Sequence, residues 1–87
     1  MSQPLASLPL PTASVLFDVA AERERQDATW NRSPGVWPGS DGEKVAVLGE
    51  EFGEVCRALL ERESPERLRA ELIQVAAVAV AWAETLP

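Results

Sequence analysis

Apolar residues recur at helical spacing in three segments of the chain, separated by stretches rich in proline, glycine and serine. In the first, Leu16, Val19 and Ala20 share a face, which turns polar at Arg23 and Asp27 before Trp30. The spacing predicts a helix over about residues 12–29. Two readings of its polar half stay open: it lines a pocket, or Arg23 and Asp27 pair at i, i+4 on a wet surface. Residues 31–42, NRSPGVWPGSDG, hold three glycines and two prolines and read as a loop. Its Trp37, with Trp30 at the edge, either stacks a planar base or pins the loop to the helices.

A second helix is expected over about residues 43–62, capped by Ser40 or Asp41. At about 100° per residue, Val45, Leu48, Phe52, Val55, Cys56 and Leu59 gather on one face. Ser64-Pro65-Glu66 marks the start of a third helix, with a capping serine and proline at its first position. That helix is expected to reach about Leu86, and eleven of the twelve residues from Leu72 to Ala83 are apolar, Gln74 being the exception. A helix apolar all round must be surrounded, which two other helices of one chain can hardly do. The expectation is therefore an all-α fold, a three-helix protomer whose bundle is completed by dimerisation or tetramerisation through the third helix. Residues 1–11 read as a flexible leader and 12–87 as one domain.

Eighty-seven residues suffice for a single small domain, and a net charge of −6 argues against a nucleic-acid backbone or an anionic membrane as partner. Val75–Ala83 is too short to span a bilayer. The amino terminus lacks a basic region and is broken by Pro4, Pro9 and Pro11, so it makes a poor signal peptide. A soluble, cytoplasmic protein is the expectation. Cys56 is the only cysteine and there is no histidine. Cys56 falls at an apolar helical position and reads as core, and a zinc site is disfavoured. Oxygen ligands remain, and they suit Mg²⁺ or Mn²⁺.

Those oxygens are concentrated. Glu50, Glu54 and Glu61 form an acidic stripe on the second helix with Glu51 at the margin of its apolar face. Like charges clustered in this way cost stability unless a cation screens them. Glu51 and Glu54 are three apart on one helix; Glu71 and Gln74 are three apart on the next. Two such pairs on packed antiparallel helices can converge four oxygen-bearing groups on one point. Glu71 also leads an apolar helix, where a carboxylate is expensive to bury unless something positive meets it.

The run GEEFGEV followed by RAELIQVAAVAVAW resembles the all-α nucleotide pyrophosphohydrolases, the MazG-like group with relatives among dimeric dUTPases. Their EExxE falls on Glu50, Glu51 and Glu54, and their ExxD on Glu71 and Gln74. RERQDATW resembles the end of their first helix. The resemblance covers about residues 15–86. It departs at Gln74, where the family pattern has aspartate. An amide oxygen can ligate magnesium but brings no charge. The resemblance implies metal-dependent hydrolysis of a nucleoside triphosphate to monophosphate and pyrophosphate. Glu51, Glu54, Glu71 and Gln74 would be the metal set, and Glu50 would orient or deprotonate the water or hold a second ion. Gln26, Trp30 and Trp37 are then candidates for base and ribose, and Lys44, Arg57, Arg67 and Arg69 for the phosphates. Two other functions fit the same residues: a non-catalytic nucleotide- or metal-binding module, which Gln74 favours, and a small acidic helical interaction domain.

Overall fold

A computed structural model of the chain describes Pro4 and residues 7–87. The flexibility expected of residues 1–11 lies in part outside the described residues. Three helices make up the fold: α1 (Leu10–Trp30), α2 (Asp41–Leu60) and α3 (Pro65–Ala83). Among the described residues there is no strand. No described helix is long and apolar enough to cross a membrane.

Local chemistry sets the ends of these helices. Ser40 accepts a hydrogen bond from the Glu43 amide at the start of α2, and Ser64 one from the Arg67 amide at the start of α3. Each satisfies one of the orphan donors of a first turn. α1 begins at Leu10, slightly before the expected start, with Pro11 tolerated in a first turn that has no donor to lose. It ends on Asn31 in the left-handed region (φ 52°), where the Arg32 amide reaches the Asp27 carbonyl. α2 ends the same way on Arg62 (φ 55°), with the Glu63 amide bonded to the Ala58 carbonyl. α3 stops at Ala83, short of the expected Leu86. In the α1–α2 loop, the Val36 amide bonds to the Ser33 carbonyl across Pro34 and Gly35. Gly35 has φ 77°, so this is a type II turn with each residue in its preferred place.

α3 is the central helix, packed against both α1 and α2. The residues it buries form narrow stripes: Val19, Arg23 and Gln26 on α1; Lys44, Val55 and Ala58 on α2; Glu71, Ala77, Val78 and Ala81 on α3. Among the described residues, every buried apolar side chain is alanine or valine. This corrects the expected apolar face of α2. Of that set only Val55 is buried; Leu48 and Cys56 are half-buried, and Val45, Phe52 and Leu59 are exposed. α2 is turned so that Lys44, Glu51, Val55 and Ala58, at heptad-like intervals, face α3. Small residues there let the helices approach closely, while Phe52 at 59% exposure stays outside.

The polar half of α1 is corrected as well. Arg23 and Asp27 do pair, but not on a wet surface. Arg23 is buried and donates from Nη2 to both oxygens of Asp27 (3.0 and 3.1 Å) and to Glu84 beyond the end of α3 (2.9 Å). The same stretch also borders an apolar cleft of about 410 Å³ with Leu16, Val19 and Val80. At the same end of α3, Trp82 donates its indole N–H to Asp41 in the first turn of α2 (2.9 Å).

Candidate functional site

The rotation of α2 that leaves Phe52 outside carries Glu51 towards α3. Glu71 is 4% exposed there, and its Oε1 accepts an ion pair from Arg67 one turn earlier (2.9 Å). Its Oε2 is buried with no hydrogen-bond partner, and so is Oε2 of Glu51. Buried carboxylate oxygens left unpaired are costly. Burial raises the Glu51 carboxyl above the ordinary carboxylate range, and the charges of Glu71, Glu54 and Glu22 push it further in the same direction. The two helices thus bring Glu51, Glu54 and Glu71 into one electrostatic neighbourhood.

Glu22, on α1, is the member that periodicity did not reveal. Its side chain is only 12% exposed and is bound by Arg25 through both oxygens (2.8 and 2.5 Å). It also accepts a hydrogen bond from the amide of Gln26 (3.2 Å). The hydrogen bond and charge of Arg25 hold its carboxyl below the ordinary range, against a smaller upward effect of burial. The available signal was Glu22-x-x-x-Gln26 on the stripe that continues from Val19, a face otherwise read from its apolar members alone. Gln26 is 4% exposed, and its carbonyl oxygen is a further buried atom without a partner. Gln74 lines a cleft of about 360 Å³ with Glu22, Arg25 and Arg69, and Arg69 pairs across that cleft with Asp18 (2.8 Å).

Other expected site residues stand apart. Glu50 is exposed and is not among the charges that shift Glu51. Glu54 is exposed but acts on Glu51. Arg57 is exposed in the last turn of α2, about 120° round the helix from Glu51 at 100° per residue, on the solvent side with Glu50 and Glu61. Lys44 is 7% exposed, with its ammonium 5.9 Å from the centre of the Trp37 ring. Trp30 is exposed and Trp37 half-buried, and the Arg32 guanidinium lies over both rings at 4.3 and 4.8 Å. The aromatic pair is therefore occupied by a planar cation of the chain itself, a cation–π arrangement that pins the loop. Arg32 was not among the expected site residues. Burial lowers its affinity for the proton, an effect Arg23 adds to and Asp27 opposes.

A hard divalent cation suits this donor set in kind: all oxygens, mostly carboxylate, two of them buried without partners. As the side chains stand, no group of three among the described Asp, Glu and Cys residues is gathered closely enough to hold one. Glu51 and Glu71 are the two carboxylates whose buried oxygens lack a partner. Comparison with protein-family models, curated proteins and solved structures gives no match.

Proposed function

We propose that the protein is a metal-dependent nucleotide pyrophosphohydrolase of the MazG-like kind, acting on a nucleoside triphosphate to release monophosphate and pyrophosphate. One observation carries this reading: Glu51 of α2 and Glu71 of α3 each turn a buried, unpartnered carboxylate oxygen into a shared acidic neighbourhood. Such oxygens are stabilised by a cation more than by any other common partner.

Glu51, Glu71 and Glu54, with Gln74 at the edge, would hold a magnesium or manganese ion once their carboxylates are drawn together. When bound, the ion supplies charge neutralisation to phosphate oxygens and acidifies a coordinated water. Arg69 and Arg25, which now pair with Asp18 and Glu22, offer guanidinium groups beside the cleft for the phosphate chain. Glu50 is the base that the resemblance implies for the attacking water, although it stands on the solvent side of α2 apart from Glu51, and the proton would pass from it to bulk. Water adds at phosphorus, and the bond joining monophosphate to pyrophosphate breaks. Trp30 and Trp37 take the base once Arg32 yields the rings. The protein works as a dimer or tetramer, covering the apolar faces of α2 and α3, and acts on the cytoplasmic nucleotide pool.

The experiment is product analysis across ribo- and deoxyribonucleoside triphosphates, with Mg²⁺ or Mn²⁺ and with chelator, beside Glu51→Ala. Monophosphate and pyrophosphate that require both metal and Glu51 support the enzyme. A second reading is favoured by Gln74: a module that binds metal and nucleotide without turnover. It predicts a melting shift with both ligands and no product. A plain interaction domain predicts neither.

A further inference from the structure

We infer that Trp30 and Trp37 form a slot for a flat heterocycle carrying positive charge, as an N-methylated purine does, and that Arg32 fills this slot in the free protein. This rests on the assignment of the base to these rings above and names the class of base. The Arg32 guanidinium is itself a flat cation, 4.3 Å from the centre of the Trp30 ring and 4.8 Å from that of Trp37. Indole faces are electron-rich and attract such a group electrostatically. Among the described residues, Arg32 makes no ion pair, and its Nε is buried with no acceptor. A guanidinium that only staples a loop normally brings its N–H groups to a carbonyl or carboxylate. Arg32 is held by the two rings, and a flat cation that covers them better displaces it.

The rings have supports of their own. Trp30 closes α1, whose last turn is capped by Asn31 in the left-handed region. Trp37 follows the turn at Pro34-Gly35, and Gly35 stands against the end of α3. A Cβ at that glycine would lie 3.8 Å from the Glu84 carbonyl oxygen. Charge then decides between heterocycles. Besides Arg32, the charged groups at the slot are Lys44, with its ammonium 5.9 Å from the centre of the Trp37 ring, and Arg23 and Asp27, whose charges act on Arg32 from α1. Arg23 is neutralised by Asp27 and Glu84. A cationic base takes over a charge that these surroundings already accommodate, while Arg32 moves into solvent. A neutral base leaves the ring faces without that charge and forfeits the attraction.

The test is nucleoside binding to the full chain in mildly acidic buffer without metal, followed through the indole N–H resonances. The probes are guanosine and guanosine methylated on its imidazole ring, which gives that ring a positive charge. Trp82, whose N–H is bonded to Asp41, is the internal reference. The variants are Arg32→Ala and Trp37→Leu, with circular dichroism checking that each stays helical. The methylated nucleoside is expected to shift the Trp30 and Trp37 signals, leave Trp82 in place and bind about tenfold tighter than guanosine. Arg32→Ala should tighten that binding about tenfold again by removing the competitor, and Trp37→Leu should weaken it. If guanosine binds as tightly as its methylated form, the preference for charge is overturned and the base site stands. If Arg32→Ala binds the methylated nucleoside no better than the parent, the role of Arg32 is overturned. If neither nucleoside moves Trp30 or Trp37 in either chain, the base assignment fails and this proposal with it, while the reading of Glu51 and Glu71 is untouched.

Discussion

Arg23 of α1 donates a 2.9 Å hydrogen bond to Glu84, the residue that caps α3, across sixty-one positions of sequence. Arg23 is buried, and its Nε and Nη1 have no partner. Its charge is therefore held by Asp27 and Glu84 alone, at the point where α1 meets the end of α3. Arg23→Ala is expected to lower stability by about 2–3 kcal/mol, because Asp27 is left nearly buried and uncompensated. Glu84→Ala, which removes the more exposed partner, should cost less than about 1 kcal/mol. Urea unfolding followed by circular dichroism separates the two, and equal losses would mean that Asp27 does not depend on Arg23.

The acidic neighbourhood predicts an unusual pH dependence. Glu51 binds its proton more tightly folded than unfolded, since burial and the charges of Glu71, Glu54 and Glu22 raise its carboxyl. Between the unfolded value and the raised folded one, the native state holds more protons, so this group's contribution to stability rises as pH falls. Glu22, with its carboxyl lowered, acts in the opposite sense, and its contribution is lost only below the ordinary carboxylate range. Without divalent ions, the melting temperature should rise as pH falls from neutrality towards the ordinary carboxylate range, then fall in stronger acid. Glu51→Gln should abolish the rise. Saturating Mg²⁺ should remove it too, by supplying the missing positive charge.

The outward side of α2 and α3 predicts self-association. Val45, Phe52 and Leu59 are exposed at seven-residue intervals, and a groove of about 360 Å³ is lined by Val45, Leu48, Gly49 and Phe52 of α2 with Val75 and Ala79 of α3. Burying Phe52 in a second copy contributes on the order of 2 kcal/mol per copy. Phe52→Asp should therefore shift the monomer–oligomer equilibrium by more than a hundredfold, read by sedimentation equilibrium. A parent protein that stays monomeric at high concentration would remove this prediction.

Arg62 ends α2 with φ 55°, a conformation that side chains with a Cβ adopt at a cost of about 1–2 kcal/mol. Arg62→Gly relieves that cost while adding entropy to the unfolded chain. The net expectation is a gain of about 0.5–1 kcal/mol. Thermal melting measures it. A loss instead would show that the Arg62 side chain makes a compensating contact.

The three helices, the serine caps of α2 and α3 and the loop with Trp37 were legible in the sequence, because capping, turn chemistry and helical periodicity act over a few residues. The spacing of Glu51, Glu54, Glu71 and Gln74 was legible for the same reason. What the sequence could not decide was which face of α2 meets α3. Hydrophobicity alone selects the face of Phe52, but close approach of helices selects small residues, and Ala58, Ala77 and Ala81 are what the protomer buries. That choice carries Glu51 inward and leaves Phe52 outside. Glu22 likewise joins the group only when α1 docks on α3, since twenty-nine positions separate it from Glu51 and no local pattern connects them. Local chemistry determined the elements; the packing of α1 and α2 on a slender α3 determined the site.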